Sequence, residues 1–562
     1  MKVILNEEWW DDIKAMVKDE DDSEYGLGYK HRYTTGKGKM KIGIADWTDD
    51  SLKKLEAFLT AKANAGDRSA KLSLNTVHQW MEIKSNPNGQ VVPKLENVEP
   101  AMKKYIGASA NRYVFEMLPD GNFVPWFVHS IKYHEATENS PACVVVDLSA
   151  INTGMGSRRG RNGDGPECKT FSLCTADIRN CTMSQVIEAE GYYLETPARM
   201  ESYQKEVATY LERCDEDGFQ MSVTGKAKLI NGWYDHSYRP VGQSGRPAKM
   251  VMDPPERERD GDSVHAPYWD KSEDKVWHLP IHPVYEMFDL DEHADYRVHV
   301  NNTEPYVYND KVDQKLVLPE EVKDFLTVLI EHSKNHFEDI VGGKEGGTIV
   351  LIEGVPGIGK TLTAEVYSEK MHRPLYKVQS SQLGTEPKTV EDQLKEVLQR
   401  AERWGAILLI DEADVYVRER GIDIRQNAIV GVFLRVLEYY RGVLFMTTNI
   451  GHAVDDAIIS RTTARFRYEM PSLNDQFKLW TVMSEQNKVD LSKDEIISVM
   501  EALPDLSGRD IKNLMKLAMV MAANKQTRVT PEIIKFVARF KQSGRDKSGV
   551  VQDNKVAKIG RE

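Results

Sequence analysis

The chain has 562 residues, 41% hydrophobic and 29% charged, a balance that excludes disorder over the whole length and suggests three or four domains. A net charge of -13 and a pI of about 5.7 work against broad attraction to phosphate backbones. No stretch of about 18 apolar residues predicts a membrane span, and five cysteines in so long a chain do not make a disulfide scaffold, so a reducing, cytoplasmic setting is expected.

The N-terminus, "MKVILNEEWWDDIKAMVKDEDD", turns acidic within a few residues and lacks the apolar core of a signal peptide. Residues 1–100 mix a helical stretch, Ser51 to Asn64, with polar turn-rich pieces and stay unassigned. From Arg112 the texture becomes β-like: "RYVFEML", "FVPWFVHSIKYH" and "ACVVVDLSA" are separated by the turn signals "PDGN" and "TENSP". The loop "NTGMGSRRGRNGDGPE" follows, then a helix from Pro197 to Cys214, further strands through "FQMSVTGKAKLI", and an exposed charged segment, "PPERERDGDS". Residues 101–305 therefore read as a β-rich domain, the expected site of partner binding.

At about Lys315 the pattern changes. "LPEEVKDFLTVLIEHSKNHF" predicts an amphipathic helix with proline in its first turn. The runs "GTIVLIEG", "LYKVQS", "AILLIDEA" and "GVLFMTTN" then alternate with helices, which predicts a doubly wound parallel α/β sheet over residues 306–470. Residues 471–540 read as helical, and the tail, 541–562, has too few apolar residues to order. The fold class is thus α/β with a C-terminal helical subdomain, preceded by a β-rich α+β region.

"GVPGIGKT", Gly354 to Thr361, matches G-x-x-x-x-G-K-[ST], with an apolar strand before it and a helix after it. Gly354, Gly357 and Gly359 allow a tight loop whose N–H groups, with the helix N-terminus, surround phosphate oxygens, so Val355, Pro356, Ile358 and Leu362 are expected among the nucleotide-binding residues. Lys360 reaches the β- and γ-phosphates of ATP, and Thr361 ligates Mg²⁺. "AILLIDEAD" brings Asp411 to the same metal and places Glu412 to polarise the attacking water.

The P-loop, "LLIDEAD", "FMTTN" and "SRTTARF" together resemble the AAA+ ATPases. The resemblance implies that Asn449 is sensor 1, orienting the water. It implies that Arg461 or Arg465, in the following helix-loop, acts in trans as a finger on a neighbouring subunit's nucleotide; Arg461 is preferred, and the spacing departs by a residue from the usual "RxxR". It also implies a homo-oligomeric, hexameric ring, a helical lid over residues 471–540, and Arg509 of "LSGRDIKNLMKLA" as sensor 2. Strings such as "LVLPEE", "LGTEPKTVEDQLKEVLQRAERWGAILLIDEADV" and "DAIISR" are similar to a subgroup best known from fungal proteins. That likeness fades upstream and does not reach the first hundred residues.

Protein-threading members present an aromatic–hydrophobic–glycine step after the second strand. Here Gln382 and Leu383 stand in the first two places, which argues for remodelling, clamping or gating over processive threading. Cys168, Cys174 and Cys181 are spaced too widely for a zinc knuckle. "SRRGRNG" reads as a solvated loop, and Trp9, Trp10, Trp126, Trp233 and Trp269 as core or interface anchors. The function expected is ATP hydrolysis coupled to remodelling of a protein partner. A nucleic-acid-associated ATPase of replication or defence, or an ATP-gated assembly scaffold, are the alternatives.

Overall fold

The computed structural model describes residues 2–16, 33–34, 39–44, 47–84, 95–107, 109, 111–137, 140–151, 167–178, 181–214, 216–230, 237–242, 245–253, 267–270, 275–332, 347–450 and 453–542. The glycine- and arginine-rich loop, "PPERERDGDS", Trp233 and nearly all of the C-terminal tail lie outside the described residues.

The first unit pairs strands Lys2–Asn6 and Lys39–Gly43 antiparallel and packs them on helices Asp49–Asn64 and Arg68–Lys84. The first helix starts two residues before its predicted Ser51, because the Thr48 side chain caps it by accepting from the Ser51 N–H at 3.3 Å. Val3, Leu5, Trp9, Ile13, Trp47, Leu52, Leu55 and Leu59 form its own buried core. Helix Val98–Gly107 belongs elsewhere: Val98, Met102 and Ile106 pack under the next sheet, against Trp126 and Val144.

That sheet has five antiparallel strands in the order 167–173, 143–150, 123–134, 113–117, 192–194. A second, seven-stranded antiparallel sheet runs 238–240, 226–229, 294–299, 284–289, 248–252, 220–223, 303–305. The two are joined where Ile151 bridges Ile281 and where Tyr113, Phe115, Phe127, Tyr193, Tyr203 and Leu279 share a core. Trp9 and Trp126 are buried in these cores, and no disulfide joins any of the five cysteines.

A third sheet, of five strands, is parallel throughout, in the order 375–379, 407–411, 443–448, 348–353, 464–467. Its three central strands are buried almost throughout because helices cover both faces, as continuous runs such as "TIVLIE" anticipate. The fifth strand, Ala464–Arg467, falls in what the sequence presented as a helix-loop. Its residues alternate between half-buried and exposed, and they pair with Val350 to Glu353. The connecting order reverses beside the strand Thr348–Glu353, and the crevice at such a switch point is where α/β sheets take ligands.

The seven-stranded sheet shares a core with this parallel-sheet unit. Val251, Phe288 and Leu290 pack with Tyr376, Leu394, Leu398 and Trp404. Phe288 lies 5.1 Å from the Trp404 ring and 5.6 Å from Tyr376, with the Arg400 guanidinium 4.6 Å over its face. Buried Asp253 accepts from Trp404 Nε1 at 3.1 Å and pairs with Arg403. Gly218 is required here: its φ is +75° and a Cβ would stand 2.2 Å from the Trp404 carbonyl. The helices of 473–542 form a separate core around Trp480, Ile511, Leu514 and Ile534. No described helix is long and apolar enough to cross a membrane.

Candidate active site

Strand Thr348–Glu353 ends at Gly354, whose φ of +144° turns the chain sharply, and helix Lys360–Lys370 begins behind Gly359 at φ +100°. The loop between them is thereby coiled at the helix N-terminus, where backbone N–H groups favour anions. Lys360 is 7% exposed. Its Nζ donates to the carbonyls of Gly354 and Val355 at 2.7 and 2.9 Å and to Asn449 Oδ1 at 2.8 Å. Burial pulls its pKa down, opposed by Asp411, Asp414 and Glu412.

Asp411 ends the buried strand Ile407–Asp411. Its Oδ1 accepts from Thr361 Oγ at 2.9 Å and Thr447 Oγ at 2.6 Å, and its Oδ2 faces Lys377 Nζ at 3.1 Å. Burial raises this carboxyl, but the bonds from Thr447, Lys377 and Thr361 outweigh it and hold it below its ordinary value. Glu412 follows at φ +54°, a left-handed turn that exposes its side chain while Ala413 is fully buried. The turn is pinned by Thr447, whose Oγ accepts from the Glu412 N–H at 3.0 Å and whose carbonyl accepts from Ala413 at 2.8 Å.

Asn449 is fixed from behind. Asp414 Oδ1 accepts from the Asn449 N–H at 3.0 Å and from Thr448 Oγ at 2.7 Å. Lys360, Thr361, Asp411, Glu412, Thr447 and Asn449 line one cleft of about 1520 Å³, which Val317, Leu318, Ile358, Leu479 and Met483 continue as an apolar wall. The helix Gly508–Asn524 closes the other side: Arg509 N–H donates to the Gly357 carbonyl at 3.0 Å, and a Cβ on Gly357 would meet Arg509 at 2.8 Å. Val355 and Leu362 are exposed beside the loop.

The arginines separate. Arg465 departs from its expected place in a helix-loop: it sits on the edge strand, its guanidinium forked onto Glu353 at 2.7 and 2.9 Å. Glu353 is 2% exposed, so Arg465 neutralises a buried carboxylate of its own chain. Arg461 is held more lightly, by the Ala457 carbonyl at 3.2 Å and Glu438 at 3.6 Å. The 380–387 segment is a packed turn in which Leu383 is 1% exposed and Tyr416 Oη donates to the Ser380 and Gly384 carbonyls. Leu383 is therefore not presented for gripping a substrate. Gln382 is exposed, and its Oε1 accepts from the Gln379 N–H at 2.8 Å.

Sequence reasoning missed Thr447, Asp414, Lys377 and the apolar wall. Two threonines in an otherwise apolar, buried strand were a readable signal for the first.

Residues 350–470 match the family model of the ATPase family associated with various cellular activities (AAA). The chain carries an AAA ATPase domain. It is similar to the ATP-dependent zinc metalloprotease FtsH of Chlamydia trachomatis, at 28% identity over 38% of this chain and 24% of that protein. It is also similar to FtsH of Cyanidium caldarium, at 25% over 35% and 36%, and of Aquifex aeolicus, at 27% over 37% and 34%. The chain thus spans about a quarter to a third of the length of the curated relatives it matches, and the likeness lies in the AAA domain. A solved structure described as the E. coli MS115-1 HORMA:CdnC:Trip13 complex covers 41% of this chain and 90% of its own, at 17% identity and a TM-score of 0.34, too loose a likeness to bear on function.

Proposed function

We propose that this chain hydrolyses ATP to ADP and phosphate as an AAA+ motor that works as a ring, most simply a hexamer, and remodels a protein partner in the cytoplasm. The observation that carries the chemistry is the convergence of Lys360, Thr361, Asp411, Glu412 and Asn449 on one crevice, each held by a named partner. Thr361 Oγ and Asp411 Oδ1, 2.9 Å apart, are hard oxygen donors that fit Mg²⁺. When bound, Mg²⁺ neutralises charge on the phosphates. Lys360 binds the β- and γ-phosphates, exchanging its carbonyl contacts for them. Asn449 orients a water, and Glu412, aimed into the cleft by its left-handed turn, polarises it for attack on the γ-phosphorus as the bond to the ADP oxygen breaks. The apolar wall takes the base, and Arg509 contacts the phosphates from the lid.

Arg461 is the finger in trans; its light tethering supports that role over Arg465. Partner engagement is assigned to residues 101–305, whose seven-stranded sheet shares a core with the motor. The packed turn at Leu383 supports remodelling over threading, and the sequence strings between Leu316 and Arg461 support a place beside the fungal subgroup. The test is phosphate release by the wild type and by Glu412→Gln, with the variant then used to trap a partner from native host extract. Turnover that survives in Glu412→Gln overturns the site. Turnover that needs added DNA or RNA, and falls steeply with salt, replaces the protein partner with a nucleic acid.

A further inference from the structure

Three charged or polar groups hold Asp411, and one of them belongs to no part of the machinery above. Thr361 and Thr447 both bond Oδ1; among the described residues Lys377 alone faces Oδ2. Lys377 lies on the neighbouring parallel strand, Leu375–Gln379, paired so that Gln379 stands opposite Asp411. Its side chain is partly exposed and is not among the residues that line the cleft. Its position is set from the β-rich region. His293, in a left-handed conformation at φ +55°, hydrogen-bonds the Lys377 backbone, and its ring lies 5.5 Å from Tyr376. Tyr376 in turn packs against Phe288 and Trp404 of the shared core.

We propose that Lys377 is a resident counter-charge on Oδ2 of Asp411 that moderates how tightly this carboxylate holds the metal of a bound nucleotide. The proposal rests on the ATPase reading. Two effects of Lys377 oppose one another. As a hydrogen-bond donor it fixes the carboxylate plane, which favours metal binding; as a cation it repels a dication bound at the other oxygen. The second effect prevails, because Oδ1 is already fixed by two hydroxyls at 2.9 and 2.6 Å. Removing Lys377 leaves the orientation standing and takes away only the charge. Charges this close interact strongly at the effective dielectric of a partly buried site.

The experiment uses the full chain and a fluorescent ATP analogue, titrated with Mg²⁺ and separately held in EDTA. Lys377→Met and Lys377→Gln are each expected to lower the half-saturating Mg²⁺ concentration for nucleotide binding about tenfold. Affinity in EDTA should stay within about twofold of wild type, since Lys377 is not among the residues that line the cleft. Lys377→Arg, which keeps the charge, should behave as wild type. The second neutral variant covers poor folding of the first. An unchanged or raised Mg²⁺ requirement in the neutral variants overturns the proposal, as does a large loss of affinity in EDTA. A wild type that binds no nucleotide brings down the ATPase reading itself, an outcome distinct from a wild type that binds while Lys377 makes no difference.

Discussion

Thr447→Val tests whether the hydroxyl behind the acids organises the chemistry. Thr447 is 1% exposed, so valine fills the same space and removes only a donor and an acceptor. The donor bond goes to a charged carboxylate at 2.6 Å, a class worth about 1.5–3 kcal/mol. The acceptor bond serves the Glu412 N–H at 3.0 Å, and leaving such a donor buried and unmet costs about 1–3 kcal/mol. Together these predict a loss of about 3 kcal/mol in stability, allowing for partial relaxation. The kinetic effect should be larger than the stability effect suggests. Glu412 occupies a left-handed backbone well that costs about 1–3 kcal/mol and persists only when its surroundings fix it. Freed of Thr447, the turn relaxes, and a displacement of about 1 Å at a catalytic group can lower rate about 100-fold. Lys360 draws its contacts from Gly354, Val355 and Asn449, so nucleotide affinity should stay within about threefold. Phosphate release at saturating ATP, fluorescent-nucleotide binding and thermal melting measure the three quantities. Thr447→Ser, which keeps the hydroxyl, should restore most of the rate. A Thr447→Val enzyme that melts earlier yet turns over within threefold of wild type refutes the organising role.

Lys360→Ala should abolish nucleotide binding, and unchanged affinity by calorimetry would remove the loop from the site. Arg461→Ala should bind nucleotide yet lose turnover by about 10³ in an assembled ring, whereas normal turnover would end its role as a finger. Arg465→Ala should instead lower stability by about 3 kcal/mol, because Glu353 is then buried without its partner; a wild-type melting curve would contradict that pairing. Burial raises Glu188 from 4.5 to about 7, with Arg199 opposing. Between those pH values the folded state holds a proton that the unfolded state has lost, so stability falls as pH rises through the window. Glu188→Gln should flatten that slope in Tm against pH, and an identical slope in both proteins would show that Glu188 does not set it.

The parts of the site legible in sequence are those whose chemistry is local along the chain. Gly354 to Thr361 is a strand end, a loop and a helix start in eight residues, and Asp411–Glu412 is a strand end followed by a turn. Their spacing alone carries the geometry. Lys377 and Thr447 escaped because they reach Asp411 across parallel strands, a register set by the sheet order and absent from any short window. Arg465 was misplaced for a related reason. A four-residue edge strand with two arginines has little apolar signal, and only its pairing with Val350 to Glu353 makes it a strand. Leu383 looked presentable beside Gln382, yet it is buried in the core that also holds Val390 and Leu394 of the helix that follows.

The division of the cores bears on how nucleotide chemistry could be felt elsewhere in the chain. Phe288, Tyr376 and Trp404 interlock the seven-stranded sheet with the ATPase sheet, and Asp253, at 2% exposure, ties the same joint to Arg403 and the Trp404 indole. Glu369, near the end of the helix that Lys360 begins, adds bonds from Lys249 at 3.1 Å, Tyr306 at 2.6 Å and the Asn309 N–H at 3.0 Å. Opening that joint would strand buried charge and expose aromatic surface, so the two sheets behave as one body. The helices of 473–542 have no member in that core, and among the described residues they meet the P-loop through the backbone bond from Arg509 to Gly357 and the side chains of Arg509 and Ser507 beside Gly357. The weaker joint is therefore the one across the cleft that Lys360 and Arg509 line. A ligand that exchanges the Gly357 contact for phosphate would shift the helical subdomain first, while the β-rich region stays fixed to the sheet that carries Asp411.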